Sequence, residues 1–171
     1  MNRDQNAFRM LVDSYSDYAF SVAFRIVNDE EESKDIVQET FISVWNRIAH
    51  FNPERKFSNW LYRIVVNKCY DSLRRKKRMS LVYPDTSNWQ IPDLFAASNP
   101  EKQLTNEETG KMIRLLTGKL SPKQKVVFIL SELEGLSQDD ISEITGMIKT
   151  SVKSNLNHAR RSIGKMIEKH I

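Results

Sequence analysis

Cysteine is almost missing from these 171 residues. Cys69 stands alone, so no internal disulfide can form, and a reducing compartment is expected. Glycine and proline are scarce, five of each, too few to punctuate a sheet of many strands. No apolar run reaches the roughly 18–20 residues that a bilayer span needs. The first residues, Met1 to Asp13, are too polar for a secretory signal. A cytoplasmic protein is therefore expected. Histidine occurs only at His50, His158 and His170, far apart in sequence. There is no Gly-rich phosphate loop and no metal-ligand cluster. An enzyme is disfavoured on those grounds, although a fold can gather distant residues. His158 has no companion Cys or His at ligand spacing, which argues against a metal role. No cofactor is expected.

What is present points to helices. The hydrophobic fraction of 40% permits a packed core, and 28% charged residues keep the chain soluble. The length suits one or two small domains. The formal net charge is +4 and the sequence pI about 9.2, a mild excess that makes the distribution of charge more informative than its sum.

Apolar residues first recur at Phe8, Leu11, Val12, Tyr15, Val22 and Ile26, steps that mark one helix face. Asn28, Asp29 and the acids from Glu30 break that helix and open a second. The second has a stripe of Ile36, Val37, Phe41, Val44, Trp45 and Ile48, and its early acids suit the positive end of the helix dipole. His50 to Ser58 contains Pro53 and reads as a loop. Ser58 or Asn59 can cap a third helix through about Lys77, with Trp60, Leu61, Ile64, Val65, Cys69 and Leu73 inward. Arg74 to Arg78 is an unbroken basic run. Met79 to Pro100 holds Pro84, Pro92 and Pro100 without helical period and reads as a linker. From Leu81 to Glu108 one base, Lys102, faces five acids.

A second helical unit begins near Thr105, with a short helix around Met112, Ile113, Leu115 and Leu116. Ser121 as N-cap and Pro122 as first helical residue start the next, with Val126, Val127, Leu130 and Leu133 inward. Gly135 is placed to end it in a left-handed conformation. Ser137 can cap Gln138–Thr145, with Ile141 and Ile144 inward. Gly146 turns the chain, and a longer helix starts near Lys149. That spacing is a helix-turn-helix. The expected boundaries are 1–79 for the first domain, 80–104 for an acidic linker and 105–171 for the second domain, all helical.

At about 100° per residue, Val152, Leu156, Ala159 and Ile163 share one side of the last helix. Thr150, Ser154, Asn157 and Arg161 centre on the opposite side, flanked by Lys153, His158 and Arg160. Such donors can reach base edges and phosphates in a major groove. The plain alternative is an amphipathic helix with a solvated polar face. In the first unit, Asp35, Gln38, Glu39 and Ile42 fall at i, i+3, i+4 and i+7. They form either a solvated surface or a docking face for a basic partner helix. The loop offers Phe51, Arg55, Lys56, Phe57 and Asn59. Aromatics beside bases suit single-stranded nucleic acid, although the spacing of Trp60 favours a core role. Arg63, Asn67, Lys68 and Arg74 lie off the apolar stripe of the third helix. The basic run either binds phosphates or complements the helix dipole, and both can hold.

Taken in order, the motifs resemble a known family. Asp35-Ile-Val-Gln-Glu-Thr-Phe41 with Val44-Trp45, then Phe57-Ser-Asn-Trp-Leu-Tyr-Arg-Ile64 with Asn67, Asp71, Leu73 and Arg74, resembles region two of the extracytoplasmic-function (ECF) group of sigma-70 family factors. Leu120-Ser-Pro, Glu134-Gly-Leu-Ser137 and Ser151-Val-Lys-Ser-Asn-Leu156 with Ala159-Arg160 resemble region four. The similarity covers nearly all of the chain except the linker.

The resemblance implies an ECF-type sigma factor, a non-enzyme that binds RNA polymerase core through its β′ and β subunits and directs it to promoter DNA. Asp35, Gln38, Glu39 and Ile42 would dock on the β′ clamp helices. Phe51, Arg55, Lys56, Phe57, Arg63, Asn67, Lys68 and Arg74 would engage the −10 element, with a flipped base captured near Phe51. Lys149, Thr150, Ser151, Lys153, Ser154, Asn155, Asn157, His158 and Arg161 would read the −35 element. The linker would thread toward the polymerase active-site and RNA-exit channel. An anti-sigma factor, where there is one, would cover the Asp35–Glu39 face and the −35 helix. The family often has Thr-Val-Lys-Ser-Arg followed by a base. Here Ser151, Asn155 and Asn157-His158 depart from that, so the −35 sequence does not carry over. Ser142 stands where a small Ala is usual. The rival reading is a regulator of the two-component output type, which would pair the helix-turn-helix with a phosphoacceptor or ligand domain.

Overall fold

The carboxylate of Asp4 accepts hydrogen bonds from the backbone N–H groups of Asn6 and Ala7 and so starts α1, Gln5–Val27. The structure, a computed structural model, describes residues 4–82 and 106–168. α1 ends at Asn28, whose φ of 58° is the left-handed cap that Asn tolerates. Asp29 then caps α2, Glu30–Arg47, by accepting from the Glu32 N–H. Two residues thus turn the chain back on itself, the break expected from the Asn28-Asp29 pair. A short 3₁₀ turn, Ile48–His50, leads into the loop.

α3 spans Phe57–Val82 and differs at both ends from the sequence reading. Ser58 and Asn59 do not cap it; they lie inside its first turn. Asn59 is buried, and its amide is spent on a contact with the second unit described below. At the other end the basic run contains no helix breaker, so the helix passes Lys77 and Met79 before the chain reaches Pro84. The first residues assigned to the linker, as far as Val82, are therefore helical. The acidic remainder lies outside the described residues.

α1, α2 and α3 pack as a bundle around Ala19, Val22, Ala23, Ile26, Ile36, Phe41, Val44, Leu61, Val65, Val66 and Cys69. Burial pushes the Cys69 thiol up to about 12, so it is an inert packing residue. Trp60, read as core, is half-buried. It leans on Phe51 and Phe57 at the bundle edge.

The second unit holds α4 (Asn106–Gly118), α5 (Pro122–Phe128), α6 (Gln138–Thr145) and α7 (Lys149–Glu168). Ser121 and Gln124 form a reciprocal capping box, with Pro122 as the first helical residue. α5 does not run on evenly to Gly135. It widens into a π-helical turn, Ile129–Leu133, which leaves Ile129 and Leu130 buried and Leu133 half-buried. Gly135 then has a φ of 65°, as its placement predicts. Ser137 caps α6, and Gly146, at φ 72°, closes it.

The two units do not stand apart. α6 and α5 pack on α3, and the π turn meets α1, so one apolar cluster runs through both. The chain is all-α among the described residues, with two helical units and a helix-turn-helix in the second.

Candidate nucleic-acid interface

α7 divides cleanly. Val152, Leu156, Ala159 and Ile163 are buried against α5, α6 and Leu120. Burying each of the larger three is worth about 1.5–3 kcal/mol, which fixes the rotation of the helix. Thr150, Lys153, Ser154, Asn157, His158 and Arg161 are consequently exposed and line one shallow surface. Lys153 and Arg161 have no ion pair among the described residues. Lys149 is paired with Asp139 at 2.6 Å, and Arg160 with Glu132 at 2.7 Å, which holds the Glu132 carboxyl below its usual range. Ser151 and Asn155 are half-buried. Asn155 donates to the Ser151 carbonyl at 2.8 Å, so its amide is partly spent on its own helix.

The angle between α6 and α7 is held by small contacts. The Ser142 hydroxyl donates to the Met147 carbonyl at 2.6 Å across the turn. The Thr145 hydroxyl accepts from the Met147 N–H at 3.3 Å. Serine in place of alanine at 142 therefore adds a tie between the two helices.

In the first unit, Asp35, Gln38, Glu39 and Ile42 are all exposed on one face of α2, and Ile42 is a large apolar side chain at 54% exposure. The same face reaches α3: Lys68 donates to Glu39 at 3.0 Å. Below it, Glu32 accepts from Ser72, Arg75 and Lys76. Burial opposes its ionisation, but the Lys76 and Ser72 hydrogen bonds win and hold its carboxyl below the usual value. Arg75 and Lys76 are thus partly neutralised by α2. Arg74 pairs with its neighbour Asp71 at 2.6 Å. Arg63 and Asn67 are exposed on α3. The sequence did not reveal the Glu32 network, because its partners are about forty residues apart and meet only through packing.

Phe51 and Phe57 meet edge to face at a centroid distance of 5.5 Å, and Tyr15 lies against Phe57 at 5.1 Å. The loop therefore rests on an aromatic floor rather than waving in solvent. Its cations are engaged by α6. Lys56 donates to Asp140 at 2.8 Å and Arg55 to Glu143 at 3.2 Å. The two N–H groups of the Asn59 amide divide between Asp140 and Glu143, both at 2.8 Å. The Asn59 hydrogen bond, then those of Lys56 and Ser137, draw the Asp140 carboxyl down to about 2. Asp140 and Glu143 were not among the expected site residues, and Asn59, offered with the loop for single-stranded nucleic acid, was not expected to face them. The one signal available was the pair of acids flanking Ile141 on α6, and nothing in the sequence says what they face.

A helix-turn-helix with an exposed polar face, a second helical unit with an acidic face, and an aromatic loop ringed by bases define a transcription factor of two-part recognition. The family description "Sigma-70 region 2" matches residues 11–79 and "Sigma-70, region 4" matches residues 110–163. The chain is 31% identical over 169 residues to the ECF RNA polymerase sigma factor SigW of Bacillus subtilis, covering 96% of this chain and 90% of that one. It is also 31% identical over 170 residues to the ECF RNA polymerase sigma-E factor of Haemophilus influenzae, covering 96% and 89%. Its fold resembles CnrH, solved in complex with the cytosolic domain of CnrY (TM-score 0.71, 23% identity, 98% of this chain and 92% of that one). It also resembles the sigma factor RpoE of Bartonella quintana, solved with the anti-sigma factor NepR (TM-score 0.70, 20% identity, 95% and 97%). The chain belongs to the extracytoplasmic-function sigma factors, which direct promoter-specific transcription initiation.

Proposed function

We propose that the labour is divided among three surfaces. The α2 face of Asp35, Gln38, Glu39 and Ile42 docks on the clamp helices of the polymerase β′ subunit. Its support is the exposed Ile42 beside three polar groups, an apolar anchor with an acidic rim for a basic helix. The loop and α3, through Phe51, Arg55, Lys56, Phe57, Arg63, Asn67, Lys68 and Arg74, take the melted −10 strand. The α7 residues Lys149, Thr150, Ser151, Lys153, Ser154, Asn155, Asn157, His158 and Arg161 face the −35 element. Among them Thr150, Lys153, Ser154, Asn157, His158 and Arg161 make the direct approach, because they are fully presented.

Residues 1–79, 80–104 and 105–171 are the corresponding functional segments. The protein carries no chemistry of its own; the polymerase makes the RNA. It works in the cytoplasm, and no described helix is long and apolar enough to cross a membrane. Because two structural relatives were solved with CnrY and with an anti-sigma factor, an anti-sigma partner is a reading to test for this chain too.

The observation that carries the proposal is the two-sidedness of α7: an apolar stripe fully packed, the polar face fully presented. Transcription with purified core polymerase on genomic fragments tests it. Discrete start sites that need both core and this protein are expected. Their absence, together with no binding to core, would leave the stand-alone regulator as the better reading.

A further inference from the structure

We propose that His158 contacts a DNA phosphate as an imidazolium, so that binding of the −35 element takes up one proton. This rests on the proposed role of α7 at that element.

The position of His158 selects a phosphate over a base. At about 100° per residue, Thr150, Ser154, Asn157 and Arg161 centre on one direction of α7, and Lys153 and His158 stand roughly 70° to either side of it. A helix in the major groove turns its centre to the base edges and its flanks to the two phosphate walls. His158 therefore points to a wall and not to the floor. The two flanks are unequal. Lys153 shares its flank with Arg160, and both are exposed. On the other flank the first three turns offer Ser151 and Asn155, half-buried and neutral, and the exposed His158. Lys165 lies on that side too, but seven residues further on, about 10 Å from the level of His158 and away from the end that enters the groove. A charge for the second wall near the N-terminal end has to come from His158.

The surroundings leave the imidazole without an acid. The surface on which it lies is lined by Thr150, Lys153, Ser154, Asn157, His158 and Arg161, and none of these is a carboxylate. Among the elements packed against α7, the π turn sends Glu132 to Arg160 and α6 sends Asp139 to Lys149. No residue of α4, α5 or α6 lines this surface. The charged groups around His158 there are Lys153 and Arg161, both cations. The anion that pairs with an imidazolium here has to come from the DNA.

The chemistry then fixes a sign. Histidine is the side chain whose charge changes between pH 5 and 8. Contact with a phosphate favours its charged form. The complex binds more protons than its separated parts, so affinity for the −35 element rises as pH falls. At higher pH the permanent cations Lys153 and Arg161 still hold the DNA, and the second wall loses its charge pair. A neutral imidazole on a base edge would give the opposite trend or none.

The test uses holoenzyme formed with the full-length protein. Its DNA is a promoter fragment found by the start-site mapping above, beside the same fragment with the −35 element scrambled. Affinity is read at pH 6 and pH 8 across a salt series. The intact fragment should bind about fivefold more tightly at pH 6, the size expected when one opposite charge comes into contact. The dependence of log affinity on log salt should be steeper by about 1 at pH 6, one further phosphate having gained a cation. His158→Gln should show the weaker binding and shallower slope at both pH values. His158→Arg should show the tighter binding and steeper slope at both. His50→Gln, in the 3₁₀ turn of the first unit, should respond as the unsubstituted protein does. His158 is exposed, so these changes leave the packed stripe of α7 untouched. If scrambling weakens binding but affinity for the intact fragment is the same at both pH values, or if His158→Gln keeps the gain, the proton uptake is overturned and the reading of α7 stands. A gain lost in His158→Gln without any change in salt slope overturns the phosphate contact. A scrambled fragment that binds as well as the intact one at both pH values overturns the reading of α7 and this proposal with it.

Discussion

At Lys125 the side chain is 6% exposed, the least expected burial in the molecule. It sits on α5 where the two units meet. With the Asn28 amide turned so that its oxygen faces the lysine, the ammonium donates to it at 2.7 Å. No carboxylate among the described residues pairs with it there. Burial lowers its pKa to about 8, while Cys69 and Lys76 of α3 are the titratable groups acting on it electrostatically. The sign follows directly. The ordinary value is 10.5, so between about 8 and 10.5 the unfolded chain binds a proton that the folded chain does not. Stability therefore rises with pH across that window, and below about 8 the full penalty is present. Lys125→Met should stabilise the packed protein by on the order of 1–2 kcal/mol at pH 7, after loss of the Asn28 hydrogen bond is set against it. Thermal melts of both proteins should show a midpoint higher by a few degrees at pH 7 and a smaller gap at pH 10. An equal gap at both pH values would mean that the ammonium is solvated in the folded state. Neither the burial of this lysine nor that of Asn59 was legible in the sequence, for the same reason. A polar residue one position off an apolar stripe looks solvent-facing until a second unit covers it.

Helices were far more legible than their contacts. The caps at Ser121 and Ser137, the left-handed Gly135 and Gly146, and the packed stripe of α7 all follow from local chemistry, so local sequence sufficed. The π turn at Ile129–Leu133 did not follow, because widening the helix by one residue leaves the apolar pattern nearly intact. Its consequence is tertiary: Glu134 comes to pair with Arg25 of α1. Within the helix-turn-helix, Gly146 sets the angle between α6 and α7. A Cβ there would meet nothing nearer than an Arg63 nitrogen at 4.0 Å, so the cost of Gly146→Ala is backbone strain alone. That strain is about 1–2 kcal/mol. Calorimetry should show a midpoint lower by a few degrees, with affinity for polymerase core unaltered and −35-dependent transcription reduced. A midpoint equal to that of the unsubstituted protein would show that the turn can relax to another conformation.

For the whole molecule, the sequence separated two helical units correctly and was silent on how they meet. Charge patterning explains both. Periodicity reveals the apolar face of each helix, but not that these faces join in one cluster running through both units. The contact between them is largely polar at its rim, and polar residues announce no partner. The separation of surfaces gives the sharpest whole-molecule expectation. Lys153→Ala with Arg161→Ala removes two presented cations from α7 without touching its packed stripe. It should weaken transcription from −35-dependent promoters and flatten the dependence of log affinity on log salt by about 2, one unit for each phosphate that no longer has a cation beside it. Binding to polymerase core should not change. Asp35→Ala with Glu39→Ala should do the reverse: core affinity falls, while the salt slope of promoter binding by preformed holoenzyme stays. If the α7 pair lowered core affinity as much as the α2 pair, the two surfaces would not be independent. The exposed face of α7 would then have to be reassigned from DNA to polymerase.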